Sequence, residues 1–216
     1  MLIPEAISGA LAKKGIDEGV SAARNLLEKL CGPAFEELGL LLQDRSRVYR
    51  LKNQLRMLDK VQNILENSKA KARTVPLRTL LPLLEGAGLE DDENLSNKWA
   101  GLLASAATAN EPELSHPSFP KILSEMSPRE AIILDKLYSL DGETDWISFR
   151  ELLGKEFDTT HDFLNQAYGN LFRLGLCRLK AGTKGPVLEL GPFGRFFMAA
   201  AYGPLGIEQA RGADSQ

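Results

Sequence analysis

The chain has 216 residues, of which 44% are hydrophobic and 25% charged, and a net charge of −3, which fits a folded globular protein of one large or two small domains and leaves little room for disorder away from the ends. A net negative chain does not coat nucleic acid by bulk electrostatics, so any anionic partner must be sought at a local basic patch. No uninterrupted apolar run approaches the ~20 residues of a membrane span, the start MLIPEAISGA lacks a basic leader and carries Glu5 early, and Cys31 and Cys177 show no ligand or redox spacing. A cytoplasmic protein with two reduced, part-buried thiols is expected.

Residues 1–33 carry Ile3, Ile7, Leu11, Val20, Leu26, Leu27 and Leu30 at patchy helical spacing, interrupted by Gly9, Gly15 and Gly19. Basic and acidic residues cancel between Glu5 and Lys29, which argues against an interfacial membrane helix, since these usually carry a basic face. Cys31-Gly32-Pro33 then punctuates the chain. From residue 34 to 67 there is no proline and only Gly39, and Val48, Leu51, Leu55, Leu58 and Leu65 recur every three or four residues, so one long helix is expected. Such a helix would run ~50 Å and needs a partner along most of its length, either the following hairpin or a second copy of the chain. It also carries the strongest basic run, Arg45, Arg47, Arg50, Lys52, Arg56 and Lys60 against Asp59 alone. Arg45, Arg47, Arg50, Lys52 and Arg56 are the candidate interaction face for an anionic partner. The competing expectation, and the favoured one, is a solvated helix face or internal pairing with Glu90-Asp91-Asp92-Glu93.

Residues 67–74, NSKAKART, read as a polar connection. The stretch 75–107 reads as a central helical hairpin. Pro76 suits a first helical turn, Pro82 is expected to bend or restart the helix, and Gly86 and Gly88 to stop it. The acids at 90–93 sit where a new helix exposes its amides. In that helix Leu95, Trp99, Leu102, Leu103 and Ala106 form the packing stripe, and Ala100, Gly101, Ala104, Ser105 and Ala107 let a neighbour approach closely.

Residues 110–120 hold three prolines and are expected to be a linker. Beyond it the helices are short with clean starts. Ser127-Pro128-Arg129-Glu130 and Ser148-Phe149-Arg150-Glu151 each match a capping box, and Asp158-Thr159-Thr160 should cap a third helix ending at Gly175. Two apolar runs, 176–179 and 187–190, flank a glycine-bearing loop and predict a hairpin, and Gly191-Pro192-Phe193-Gly194 should launch a last helix. The predicted fold is therefore mainly α, with an N-terminal helical bundle containing one long helix (1–109), a linker (110–120), a winged helix-turn-helix domain with a small β-hairpin (121–202) and a flexible tail (203–216).

A winged helix invites a DNA-binding reading, but residues 158–174 contain Arg173 as their only cation and place Asp158 and Asp162 at the groove-entering end. Use as an interaction or dimerisation module is the stronger expectation. Catalytic constellations are missing from the sequence pattern: His116 and His161 stand apart, with no paired His or Cys spacing, and there is no Gly-x-Ser-x-Gly elbow, phosphate-cradling loop or dinucleotide fingerprint. No enzyme activity, metal or cofactor is expected.

The run GPAFEELGLLLQDRSRVYRLKNQLRML at 32–58, together with Val75-Pro76-Leu77, Leu80-Leu81-Pro82, LEDDENL and Trp99-Ala100-Gly101-Leu102-Leu103-Ala104, resembles the abortive-infection alpha family of bacteria. Pro117, Pro120, the entry at 123–128 and the closing Gly-Pro-Phe-Gly-Arg-Phe extend the likeness over about residues 30–198. The resemblance implies an all-helical protein linked to phage defence that acts by aborting infection, and it brings no catalytic residue. The expected function is a non-enzymatic defence component working through protein contacts, with self-association or a protein partner. A winged-helix DNA-binding regulator and a membrane-associated helical effector are the alternatives.

Overall fold

The computed structural model describes residues 16–32, 47–108, 115–140, 143–183 and 185–204. In them the chain is mainly helical, with one small three-stranded antiparallel sheet. The first half supplies α1 (Ile16–Cys31), α2 (Arg47–Asn67), α3 (Leu77–Gly88) and α4 (Glu93–Thr108). The expected long helix is seen from Arg47 onward, and its part before that lies outside the described residues, as do residues 1–15.

Helix α4 is the one the others surround. It is buried on nearly all sides, from Leu95 through Trp99 and Leu103 to Ala107, which its small residues permit. Asp92 caps it, accepting from the Leu95 N–H at 2.9 Å, so one member of the acidic run serves the unpaired amides directly. The hairpin partner α3 runs unbroken through Pro82, which is exposed. The carbonyl that loses its donor there is Arg78's, one turn back, near the start of the helix. Gly86 does not stop the helix, contrary to expectation; the helix continues to Gly88. Gly86 is a packing residue, because a Cβ there would collide with the six-membered ring of Trp99. Helix α2 ends in a Schellman-type motif: Ala70 N–H donates to Leu65 O at 3.1 Å, Lys69 N–H to Glu66 O at 3.1 Å, and Lys69 takes the left-handed conformation.

After residues 109–114, which are not described, come α5 (Phe119–Ser124), α6 (Pro128–Ser139), β1 (Glu143–Asp145), α7 (Trp146–Glu156), α8 (His161–Arg173), β2 (Cys177–Gly182), β3 (Gly185–Leu190) and α9 (Pro192–Ala201). The capping box of α6 is complete: Ser127 N–H donates to Glu130 Oε2 at 2.7 Å and Glu130 N–H to Ser127 Oγ. The second expected box is displaced. Helix α7 starts earlier, at Trp146, capped by Asp145, whose carboxylate accepts from the Ser148 N–H at 2.8 Å. Ser148 is thus the third helical residue rather than the cap. Thr160 caps α8, and Gly175, in the left-handed region, follows its end.

The expected hairpin forms as β2 and β3, and a strand with no apolar signal, β1, joins its far side. The sheet order is β1-β3-β2, with Glu143 opposite Glu189 and Arg178 opposite Glu189. One face of the sheet therefore carries Leu188 and Leu190 into the core, and the other carries charge. Trp146, Tyr168 and Phe172 form an aromatic group under the sheet side of α7 and α8, with Trp146 and Tyr168 edge-to-face at 4.2 Å.

A single cluster of buried side chains runs from Leu30 and Leu58 through Trp99 and Leu103 to Leu134, Leu171 and Phe197. The joint is α4 against α9: Ser105 Oγ donates to Ala200 O at 2.8 Å, and Gly101 lies directly under the Ala201 carbonyl.

Candidate functional site

The basic run on α2 divides when it is placed in the fold. Arg45 lies outside the described residues, and so does the side chain of Arg47. Arg50 and Lys52 are exposed. Arg56 and Lys60 turn toward the start of α4, where Glu93 receives both: Arg56 Nη2 at 3.1 Å from Oε2 and Lys60 Nζ at 2.7 Å from Oε1. Lys60 also donates to Ser96 Oγ at 2.9 Å. The Lys60 hydrogen bond, helped by the charge of Lys60 and Arg56, holds the Glu93 carboxyl below its ordinary range. On the same edge of α2, Asn53 donates to Asp91 at 3.1 Å, Tyr49 hydrogen-bonds Asp91, and Gln54 donates to Leu84 O at 2.9 Å. Arg56 and Lys60, with Tyr49 and Asn53, thus form one network with the acidic turn that fixes α2 against the α3–α4 hairpin. Glu93 is well exposed, so each of its pairs contributes no more than about 1 kcal/mol.

A second polar cluster has no counterpart in the sequence analysis. Lys98, in the middle of α4, is only 4% exposed. Its ammonium lies 2.5 Å from Asp135 Oδ1 on α6 and 5.2 Å from the centre of the Tyr202 ring. Asp135 also accepts from Asn94 Nδ2 at 2.7 Å and from the Tyr202 hydroxyl at 2.8 Å, so its carboxylate is fully engaged. Tyr138 stacks on Tyr202 with ring centres 5.4 Å apart. Burial lowers the Lys98 pKa, against the pull of Asp135, while burial and Asp135 raise that of Tyr202. The cluster edges a cleft of about 440 Å³ lined by Glu93, Asn94, Asn97, Lys98, Asp135 and Tyr202. Every charge in it has an internal partner, and the Tyr202 ring has both Lys98 and Tyr138 as neighbours. The arrangement therefore acts as a polar lock joining α4, α6 and the end of α9.

In the C-terminal half Arg173, Arg178 and Lys180 are likewise engaged. On the outer sheet face Glu189 accepts from Arg178 and, at 2.7 Å, from Lys180, which also reaches Glu143 at 2.7 Å. On α8, Arg173 is held by Glu125 at 2.7 Å and by Asn170 Oδ1; the outward face there is Asp162, Asn165, Gln166 and Gly169. Lys184 lies outside the described residues. The Lys180 and Arg178 hydrogen bonds hold the Glu189 carboxyl below its ordinary 4.5. A depressed carboxylate contributes stability that is present above the unfolded value and lost as pH falls through the folded one. Glu189→Gln should therefore flatten the acid limb of a stability-against-pH profile below about pH 4.5, measured by urea melts; an unchanged limb would mean that the ladder does not couple to folding.

His116 sits among Phe119 and Phe193 with ring centres 5.6 Å away, its Nδ1 2.6 Å from Ser118 Oγ. His161 opens α8, and its side chain is not described. Cys177 is buried and free, its thiol pushed up to about 12 by burial, which leaves it unreactive near neutral pH; the side chain of Cys31 is not described. Among the described residues no group of His, Cys, Asp and Glu is arranged to hold a metal ion, and no helix is long and apolar enough to cross a membrane.

No curated protein and no solved structure matches the chain. The family model for abortive infection alpha does, over residues 46–189, from the start of α2 to the end of the sheet and two thirds of the chain. That span takes in α4, the acidic turn that receives Arg56 and Lys60, and the Lys98–Asp135 pair, and on it the chain belongs to the abortive infection alpha family, which points to a role in anti-phage defence.

Proposed function

We propose that the protein is a non-enzymatic component of abortive anti-phage defence that works through protein contacts, self-association among them. The observation that carries this reading is the character of the C-terminal surface. Arg173, Arg178 and Lys180 are paired with Glu125, Glu143 and Glu189, while Ile147 and Leu152 on α7 are each about half exposed. Phosphate contacts supply most nonspecific affinity for DNA, and cations already neutralised have little to give. Exposed aliphatic side chains instead favour a protein partner.

The order α6-β1-α7-α8-β2-β3-α9, with β1 beside β3 and the hairpin as a wing, supports reading this half as a winged helix. That keeps a DNA-binding regulator as the second reading, in which Asn165 and Gln166 on α8 would face the groove. Two variants separate the readings in a plaque assay. Ile147→Asp with Leu152→Asp is expected to abolish protection while leaving the melting temperature nearly unchanged, since both side chains are exposed. Asn165→Ala with Gln166→Ala is expected to leave protection intact. The reverse pattern would replace protein contact by DNA readout as the function.

A further inference from the structure

We propose that one end of the helical bundle, built on residues 68–78, is a docking surface for the phosphate backbone of nucleic acid. This goes beyond the reading above and involves different residues. After α2 ends, the chain crosses to α3 as an extended segment pinned at both sides: Arg73 N–H donates to Ala107 O at 2.8 Å and Val75 N–H to Leu30 O at 2.9 Å. Ala70 and Ala72 pack on the core and Val75 is buried. In an extended backbone alternate side chains take opposite sides. Lys71 and Arg73 are accordingly both exposed, about 6.5 Å apart, and Lys69, which takes the left-handed conformation at the end of α2, is exposed just before them. That spacing is comparable to the distance between successive phosphates on one strand. Lys29 in the last turn of α1 and Arg78 in the first turn of α3 are also exposed and flank the run.

None of these five cations makes an ion pair with the described residues. The nearby acids among the described residues are occupied: Glu28 is paired with Arg24 at 3.0 Å, and Glu66 accepts from Gln62 at 2.8 Å. A purely structural account would be that α1, α2 and α4 all end here and their carbonyl ends attract cations. Three helix ends amount to about −1.5 charges, and the start of α3, which has no acidic residue in its first turn, returns about +0.5. Among the described residues, five cations less Glu66 leave a surplus of several charges that those ends do not absorb. The opposite end of the bundle differs, since its acids already meet Tyr49, Asn53, Arg56 and Lys60. A second copy's acidic turn is therefore a poor occupant. An anionic bilayer fits less well too, because among the described side chains none of the exposed large apolar ones belongs to α1, to residues 68–78 or to the last turn of α4, so none of them would insert beside the basic run. A run of exposed, unpaired lysine and arginine without a described apolar flank suits a phosphodiester chain read without regard to sequence.

The test is fluorescence anisotropy of the full chain with a labelled single-stranded oligonucleotide across a salt series, beside co-sedimentation with phosphatidylserine vesicles. The wild-type chain should bind the oligonucleotide at low salt. Lys69→Glu, Lys71→Glu and Arg73→Glu together should weaken binding by more than about tenfold, and the neutral triple Lys69→Gln, Lys71→Gln and Arg73→Gln should flatten the log affinity against log salt slope by about 2, at roughly 0.7 per phosphate contact. The neutral set also guards against a folding defect in the reversed one. Absence of wild-type binding, equal binding by the neutral variant, or binding to vesicles without binding to the oligonucleotide would each overturn the proposal.

Discussion

Asp135→Ala should lower the unfolding free energy by about 3 kcal/mol, because it leaves the Lys98 ammonium inside the protein without its counter-charge. The Lys98 side chain is 5% exposed, and the same substitution also strips the acceptor from Asn94 and Tyr202. Broken buried pairs lose 3–5 kcal/mol as a rule, and the lower end applies here since Asp135 is 22% exposed and water can enter from the cleft. Lys98→Met combined with Asp135→Leu should recover most of the loss, since removing both charges also removes the desolvation penalty. The pH dependence separates this cause from a packing defect. Burial already lowers the Lys98 pKa, and loss of Asp135 lowers it further, so over the window from the folded to the unfolded lysine value the unfolded chain holds more protons. Stability of the alanine variant should therefore rise with pH through that window. Urea melts at several pH values check both points; a loss under about 1 kcal/mol with no pH slope would mean that Lys98 is solvated in the native state.

What the sequence makes legible follows from how local each signal is. Ser127 and Glu130 report their capping box because both partners lie within one turn. The strands β2 and β3 report themselves by apolar runs across a glycine loop. Strand β1, whose three residues are Glu143, Thr144 and Asp145, has no such pattern and becomes a strand only because β3 offers an edge to pair with. Gly86 reads as a helix stop because its reason for being glycine, the Trp99 ring, is brought to it by tertiary packing. The lock is invisible for the same reason: a lysine in the middle of a helix looks solvated until an aspartate 37 positions on is folded against it. The acidic turn was legible as a helix entry, and its service to Arg56 and Lys60 follows once α2 is laid along the hairpin. The cations at 69, 71 and 73 look like a polar connection in the sequence, and it takes the fold to show that all three stay exposed while Ala70 and Ala72 pack on the core.

Gly101→Val is expected to have the largest effect of any single substitution on the joint between the two halves of the chain, on the order of 3 kcal/mol or more. A Cβ at position 101 would fall on the Ala201 carbonyl, which is backbone and cannot rotate away as a side chain could. Accommodating it requires the end of α9 to lift from α4, which breaks the Ser105 bond to Ala200 and draws Tyr202 away from Asp135. Gly101→Ala decides the matter more sharply because two effects oppose each other there. In a helix interior alanine is favoured over glycine by about 1 kcal/mol, so in the absence of the contact the substitution would stabilise the protein. With α9 seated, the collision outweighs that gain and the net effect should be destabilising. A stabilised alanine variant, read from urea or thermal melts, would mean that the C-terminal helix leaves α4 in solution. A destabilised one means that α9 stays seated on α4 and that the surface carrying Ile147 and Leu152 and the basic end at residues 68–78 are held on one body.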